Sequence, residues 1–404
     1  MITDKQLEKL IQPIIIRQEQ LNMYVINVMV ARINEIGNML PSDIYKLQRL
    51  FKSGADIRSI NKKIAEITGL QEKQIKRLIR TVAEDAYLDS KPLYDYRRLS
   101  FIPFEENVEL QKIVRSIQKQ TVDTYINLSK AQAFMIRDRR TNKLKPTTLS
   151  KTYYEVVDRA IQATQSGAID YNTAMRDTIR ELVDSGVKTV SYDTPTGKPY
   201  CQRLDTAVKR NILDGIRAIN QGIQDEIGKQ FGADGKEITV HANSAPDHEP
   251  IQGHQFSNEE YDKLQNQQPF KDSEGNEFSA IDRPIGVWNC RHFTYSIVLG
   301  VSKPISTIEQ LDKLKEKNAK GFTDSKGRHY TLYECSQHQR ELETRIRRAK
   351  EEQIAMRTNN DIKEAKKCQF KVNRLENEYS VFSKKCGLSR KLENIYVENY
   401  KKLL

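Results

Sequence analysis

The chain has 404 residues, with 66 Lys+Arg against 54 Asp+Glu and a formal net charge of +12. Hydrophobic residues make up 38 % and charged residues 30 %, with a mean hydropathy of −0.68, a balance that suits long helices with charged outer faces. Apolar residues recur in almost every block of ten, which excludes a disordered chain. Five scattered cysteines without a CxxC pair exclude a disulfide framework, zinc ribbons and zinc fingers, and predict reduced thiols.

The start, Met1 to Lys5, has no basic-then-apolar signal pattern, so the chain is expected to be made and kept in a cytoplasm. Thr3 is placed to cap a first helix in which Leu7, Leu10, Ile11, Ile14 and Ile15, then Leu21, Val25, Val28 and Ile33, keep helical spacing. Gln, Arg, Glu and Asn interrupt its apolar stretch over 11–30, which falls short of the roughly 18–20 clean residues of a membrane span. Pro13 predicts a kink or break. Ser42, after Pro41, caps a helix over 43–52, and helices over 56–68 and 71–87 are separated by Gly69. That pair scans as a helix-turn-helix whose Lys73, Lys76, Arg77 and Arg80 would meet phosphates. An ordinary helical hairpin with Ile64, Ile67, Ile75 and Leu78 in its core is the simpler reading. A tyrosine-rich connector over 93–96 lies between Pro92 and Pro103.

Helices follow over 106–129, 149–165, 171–185 and 205–229, punctuated by Gly167, Gly186 and a turn over 194–199. From Gly232 the texture changes: 237–241 reads as a strand, and the stretch to Pro304 holds four of the six His and is dense in Pro, Gly and Asn. A helix over 307–319 and a small hairpin over 322–333, turning at Ser325 to Gly327, come next. Two long helices, 336–358 and one from Asp361 to a Cys386-Gly387 cap, surround Asn359-Asn360 and predict an antiparallel helical hairpin. Val372, Leu375, Tyr379 and Phe382 face its interior, and Glu341–Arg345 and Glu343–Arg347 are spaced as i,i+4 pairs. Residues 301–404 carry 24 Lys+Arg and 15 Asp+Glu, so +9 of the total +12. The fold expected is mainly α with a small α+β domain. It divides into an N-terminal helical region (1–100), a second helical region (101–231), the α+β domain (232–304) and a C-terminal part (305–404) ending in the helical hairpin.

The richest chemistry lies in His241 to His254 and in Trp288-Asn289-Cys290-Arg291-His292. His241, His248, Cys290 and His292 are residue types that hold zinc, although no cofactor is expected and a structural role is favoured for them. Their spacing matches no standard ligand pattern, and the plain alternative is that they tie down the loops of an irregular domain. A metal-dependent nuclease or transferase would use the same four, with Asp247 and Arg291 as helpers, but no spacing requires it. GxxxxGK[ST], GxGxxG and HExxH are absent from the sequence. The basic C-terminal hairpin would attract nucleic acid electrostatically, although interleaved acids equally describe a solvated face.

Three stretches together resemble the phage minor capsid protein 2 family, which is related to the Mu F-like head morphogenesis proteins. The first is Ala160-Ile161, Gly167 to Ala174, Ile179 to Leu182 and Gly186-Val187, then Tyr192, Leu204-Asp205, Val208 to Arg210 and Gly215. The second joins His241 to Phe256 with Asn289 to His292; the third is Tyr330 to Tyr333, Gln337 to Glu343, Ile346-Arg347 and Lys350, with Tyr379 to Phe382 and Gly387-Leu388. Together they cover about residues 155–404. His241 lacks the glycine–alanine–arginine that usually follows it in the family, and Ile251 replaces an aromatic before Gln252-Gly253. The resemblance implies a structural, non-enzymatic head protein of a tailed phage or prophage, incorporated at low copy during assembly in the host cytoplasm. Its implied partners are the portal and major capsid proteins, with packaged DNA as a non-specific contact, and its implied roles are portal docking and genome delivery. Some relatives carry an appended toxin domain; none is expected here, where the sequence ends in the hairpin. Charge and position nominate Arg340, Arg345, Arg347, Arg348, Lys350, Lys384, Lys385 and Arg390 as partner or DNA contacts.

Overall fold

The computed structural model of the protein describes residues 4–37, 55–138, 141–166, 171–191, 200–287, 290 and 292–403. The expected cap at Thr3, the helix over 43–52, Gly167, the turn over 194–199, Tyr192, Trp288, Asn289 and Arg291 lie outside them.

The mainly α fold read from the sequence is what the protein has. Helix α1 (Asp4–Gly37) continues through Pro13 without the expected break. Pro13 faces solvent, where water can take the carbonyl that a proline leaves unpaired. Helix α2 (Ala55–Leu88) is likewise one uninterrupted helix of 34 residues, so Gly69 makes no turn and the helix-turn-helix and helical-hairpin readings are both overturned. A glycine inside a helix costs about 1 kcal/mol relative to alanine. The buried row Ile60, Ile67, Ile75, Leu78, Ile79 and Val82 outweighs that cost. Lys73, Lys76, Arg77 and Arg80 are exposed on its outer face, where Lys76 pairs with Glu72 at 2.7 Å and Arg80 with Glu105. The tyrosine-rich connector forms a short helix, α3 (Lys91–Arg97), with Tyr94 set among Tyr87, Phe101 and Phe231.

Helices α4 (Val108–Lys130), α5 (Leu149–Ser166), α6 (Tyr171–Ser185) and α7 (Leu204–Gln230) follow the expected periodicity. Helices α2, α4 and α7 pack on one another. Gly215 faces both neighbours: a Cβ there would lie 2.4 Å from Thr121 Oγ1 and 3.1 Å from Ile79 Cδ1. Region 101–231 also holds strands that the periodicity does not announce: β1 (Gln132–Arg137), β2 (Leu144–Thr148), β3 (Lys188–Ser191) and β4 (Tyr200–Arg203). They form an antiparallel sheet in the order β2-β1-β3-β4. Strands this short carry too few alternations to stand out from loops. Burial of Phe134 and Ile136 beneath α5 and α6 holds them in place.

A second core, built on Ile238, Phe256, Leu264, Phe270 and Phe278, belongs to the α+β part. Here β5 (Gly235–Ile238) lies between β6 (Gln255–Ser257) and β9 (Thr294–Ile297). Helix α8 (Asn258–Gln265) and the hairpin β7 (Phe270–Lys271) with β8 (Glu277–Phe278) complete it. The strand expected over 237–241 starts two residues earlier and stops at Ile238, because pairing beyond it continues on one side only, from Thr239 N–H to the Phe293 carbonyl. Helix α9 (Ile308–Lys320), capped by Thr307, and the small hairpin β10 (Phe322–Thr323) and β11 (His329–Tyr330) lie as expected.

Helices α10 (Leu332–Thr358) and α11 (Ile362–Lys385) form the expected antiparallel hairpin: Gln339 meets Ser383, Glu343 meets Tyr379 and Glu352 meets Lys371. Gly387 closes α11 with a positive φ of 65°. The tip of the hairpin docks on α6 through Arg176–Asp361 and Arg180–Glu364, both 2.6 Å. Midway along α10 lies a buried ionic network. Arg203 donates to Glu351 at 2.7 and 3.0 Å and to Asp205 at 3.3 Å. Arg347 donates to Asp205 at 3.0 Å and to Glu19 at 3.1 Å. Asn22 donates to Glu351 and accepts the Val187 N–H. Helices α1, α7 and α10 and the end of β4 therefore meet at one point.

Burial would raise the Asp205 carboxyl, but Arg203 and Arg347 hold it well below the usual carboxylate range. Glu19 goes the other way. Burial, reinforced by Asp205 and Glu351, pushes it up to about 7 against the pull of Arg347. Removing Arg203 leaves buried Glu351 with no cation and Asp205 with only Arg347 among the described residues, so Arg203→Ala should cost about 3–5 kcal/mol in urea unfolding. Glu19 contributes stability that is complete below about pH 4.5 and is lost as pH rises through about 7. That loss amounts to roughly 3 kcal/mol for a shift of this size. The unfolding midpoint of Glu19→Gln should accordingly fall less between pH 5 and pH 8 than that of the wild type.

Candidate functional site

The antiparallel register of β5 and β9 sets Ile238 opposite Thr294. The loop that leaves β5 with His241 and His248 therefore emerges beside the segment that enters β9 with Cys290 and His292. Within the first loop a turn forms at residues 245–249, with His248 N–H and Glu249 N–H both donating to the Ala245 carbonyl at 2.9 Å. Gly253 then returns the chain to β5, donating its N–H to the Ile238 carbonyl at 2.8 Å with φ at 76°. The left-handed backbone demands glycine there, and a Cβ would also crowd the tip of the Leu311 side chain at 2.6 Å.

Three of the four nominated ligands converge. His248 Nδ1 lies 3.3 Å and His292 Nδ1 3.4 Å from Cys290 Sγ, and all three side chains are buried. His248 Nε2 stands 2.9 Å from the Arg283 carbonyl, and the Asp247 carboxylate lies 3.4 Å from the same nitrogen. His292 Nε2 lies 3.3 Å from Gln252 Oε1, which also accepts the His241 N–H at 3.2 Å. His241 is set apart: its ring packs on that of His292 with centroids 4.1 Å apart, and its Nδ1 faces the Ala242 carbonyl. His254 points away, toward Phe256 and Phe278.

Burial opposes charge on His248, yet the Cys290 sulfur, the Arg283 carbonyl and Asp247 keep its pKa above the ordinary value. Burial would raise the Cys290 thiol, but His248 lowers it. Burial and the neighbouring His241 and His248 press His292 down to about 2. The site thus pairs an easily ionised thiol with one imidazole that favours a proton and one that stays neutral. Gln252, Ser244 and the Arg283 carbonyl, which orient the rings, are not marked by their residue types; the pair Gln252-Gly253 is the signal that could find them.

The cluster opens on a cleft of about 530 Å³ whose opposite wall is α10 and the segment after α11, with Glu19 and Asp205 among its lining. Arg340 and Arg347 reach this cleft. The nominated basic residues divide into two groups. Arg340, Arg345, Lys384, Lys385 and Arg390 are exposed. Arg347 turns inward to Glu19 and Asp205, Arg348 is half-buried, and Lys350 is buried, bound to Glu376 at 2.8 Å and to the Ile395 carbonyl at 2.8 Å.

A family model described as Phage minor capsid protein 2 matches residues 2–382, nearly the whole chain. No curated protein and no solved structure matches it. Among the described residues no helix is long and apolar enough to cross a membrane.

Gln252 is the acceptor that closes the loop onto His292. Gln252→Ala leaves the His241 N–H and the His292 Nε2–H without it inside a buried site, and should lower stability by about 1–3 kcal/mol in chemical denaturation.

Proposed function

The chain belongs to the phage minor capsid protein 2 family, and from that premise we propose that it is a low-copy head component seated against the portal or inner shell, with a part in genome delivery. A structural role in the phage head is what the family supports. The match across residues 2–382 carries the reading, because it takes in the N-terminal helices, the α+β part and most of the hairpin as one unit.

The hairpin supports a particular docking surface. Its closed tip is engaged with α6, whereas its open end carries Arg340, Arg345, Lys384, Lys385 and Arg390 together, since Gln339 meets Ser383 and the Ser389 carbonyl there. Exposed basic side chains at an open helical end suit an acidic protein surface, and their long stems tolerate nearby phosphates. In this reading the protein acts by binding rather than by catalysis, and its seat in the virion follows assembly in the host cytoplasm.

Quantitative mass spectrometry of gradient-purified heads tests this. The chain should appear at a small fixed ratio to the major capsid and portal proteins and survive a high-salt wash. Truncation before Cys335 should abolish incorporation. The combined change Arg345→Gln, Lys384→Gln and Lys385→Gln should reduce it several-fold while the chain stays folded, as circular dichroism checks. Incorporation of the truncated chain at the normal level would refute the docking surface, and absence of the intact chain from heads would refute the virion role.

A further inference from the structure

We propose that His248, Cys290 and His292 bind a divalent metal ion of the zinc class through His248 Nδ1, Cys290 Sγ and His292 Nδ1. The argument is a count of hydrogens. His248 Nε2 faces the Arg283 carbonyl at 2.9 Å, and a carbonyl only accepts, so that nitrogen carries the ring hydrogen. The lone pair of the neutral ring is then at Nδ1, the atom 3.3 Å from the Cys290 sulfur. His292 repeats the pattern. Its Nε2 faces Gln252 Oε1 at 3.3 Å, closer than the Ser244 hydroxyl at 3.5 Å, and the acceptor role of Oε1 is assigned by the His241 N–H that it also receives. Its Nδ1 lone pair, too, is aimed at Cys290, from 3.4 Å.

One hydrogen is available among Cys290 Sγ and the two Nδ1 atoms, whether it sits on sulfur or on His248 Nδ1, and it serves one of the two contacts. The other contact sets a nitrogen lone pair against the lone pairs of sulfur in a buried pocket, which is repulsive. A cation bonded to all three atoms turns that conflict into three attractions. The three donor atoms already lie within 4.8 Å of one another, so side-chain adjustment brings them onto one ion. One thiolate with two imidazoles is a borderline-soft set, which selects zinc over magnesium or calcium. The Arg283 carbonyl and the Gln252 amide supply the outer hydrogen bonds that fix the tautomers of metal-binding histidines. On binding, the proton shared between Cys290 Sγ and His248 Nδ1 leaves to solvent, and the metal–sulfur and metal–nitrogen bonds take its place. All three ligands border the cleft, the side from which an ion would enter. The site goes beyond the head-protein reading and stands or falls without it.

The test uses the full-length protein, stripped with a chelator and titrated with Co2+ as a spectroscopic stand-in for zinc. One equivalent should bind with a thiolate-to-cobalt absorption band in the near ultraviolet, and equimolar Zn2+ should abolish the band. Zinc at about 100 times its Kd should stabilise the chain by about 2.7 kcal/mol in unfolding. Cys290→Ser should lose the band, while Cys201→Ser, which changes the half-exposed thiol elsewhere, should keep it. His292→Gln keeps the sulfur and should weaken Co2+ binding by roughly tenfold or more, a readout that survives if Cys290→Ser misfolds. A folded wild-type chain that takes up far less than one equivalent, or a band that persists in Cys290→Ser, overturns the proposal.

Discussion

The buried network of Arg203, Glu351, Asp205, Arg347 and Glu19 is the constraint on which the rest of the structure depends. Four charged groups, with Glu19 beside them, are removed from water together at the meeting of α1, the β4–α7 junction and α10. Desolvating each costs several kcal/mol, and only close reciprocal pairing offsets it. A slip of α10 by one turn would separate Arg347 from Asp205 and Glu351 from Arg203, leaving unpaired charge inside the protein. The network therefore sets the register of the helical hairpin against the body, while apolar contacts of Ile354, Ala355 and Met356 with the large core supply adhesion.

That register creates the cleft. One wall is α10 and the other is the loop region of the α+β part, so the cleft exists only when the hairpin is seated. The His–Cys cluster opens into it but is assembled independently, by the β5–β9 register and the turn at residues 245–249. Position of the wall and chemistry of the cluster thus have separate physical origins. The same seating splits the basic charge: Arg347 and Lys350 are consumed internally, and the open end of the hairpin keeps Arg340, Arg345, Lys384, Lys385 and Arg390 at the surface.

Long amphipathic helices are legible in the sequence because their apolar spacing repeats many times, as in α4, α6, α7, α10 and α11. Local caps are equally legible; Thr307, Asp361 and Gly387 act within a few residues of where they stand. Pro13 and Gly69 mislead for one reason. Each is a local disruption of about one to three kcal/mol, and a helix buried over many turns carries more favourable burial than that. The first sheet is missed because its strands pair residues such as Gln132 and Thr189, which are far apart in the chain.

For the candidate site, residue types alone bring His241, His248, Cys290 and His292 into view, since those side chains share a chemistry. The sequence by itself determined the helical elements, the hairpin, the concentration of basic charge and the set of potential ligands, all of which rest on local spacing or composition. Only the tertiary structure decided that His241 stands aside while the other three converge, that Arg347 and Lys350 face inward, and that α2 is one helix. Those outcomes depend on burial and pairing between distant segments, and the free energy of such contacts is not carried by any single stretch of chain.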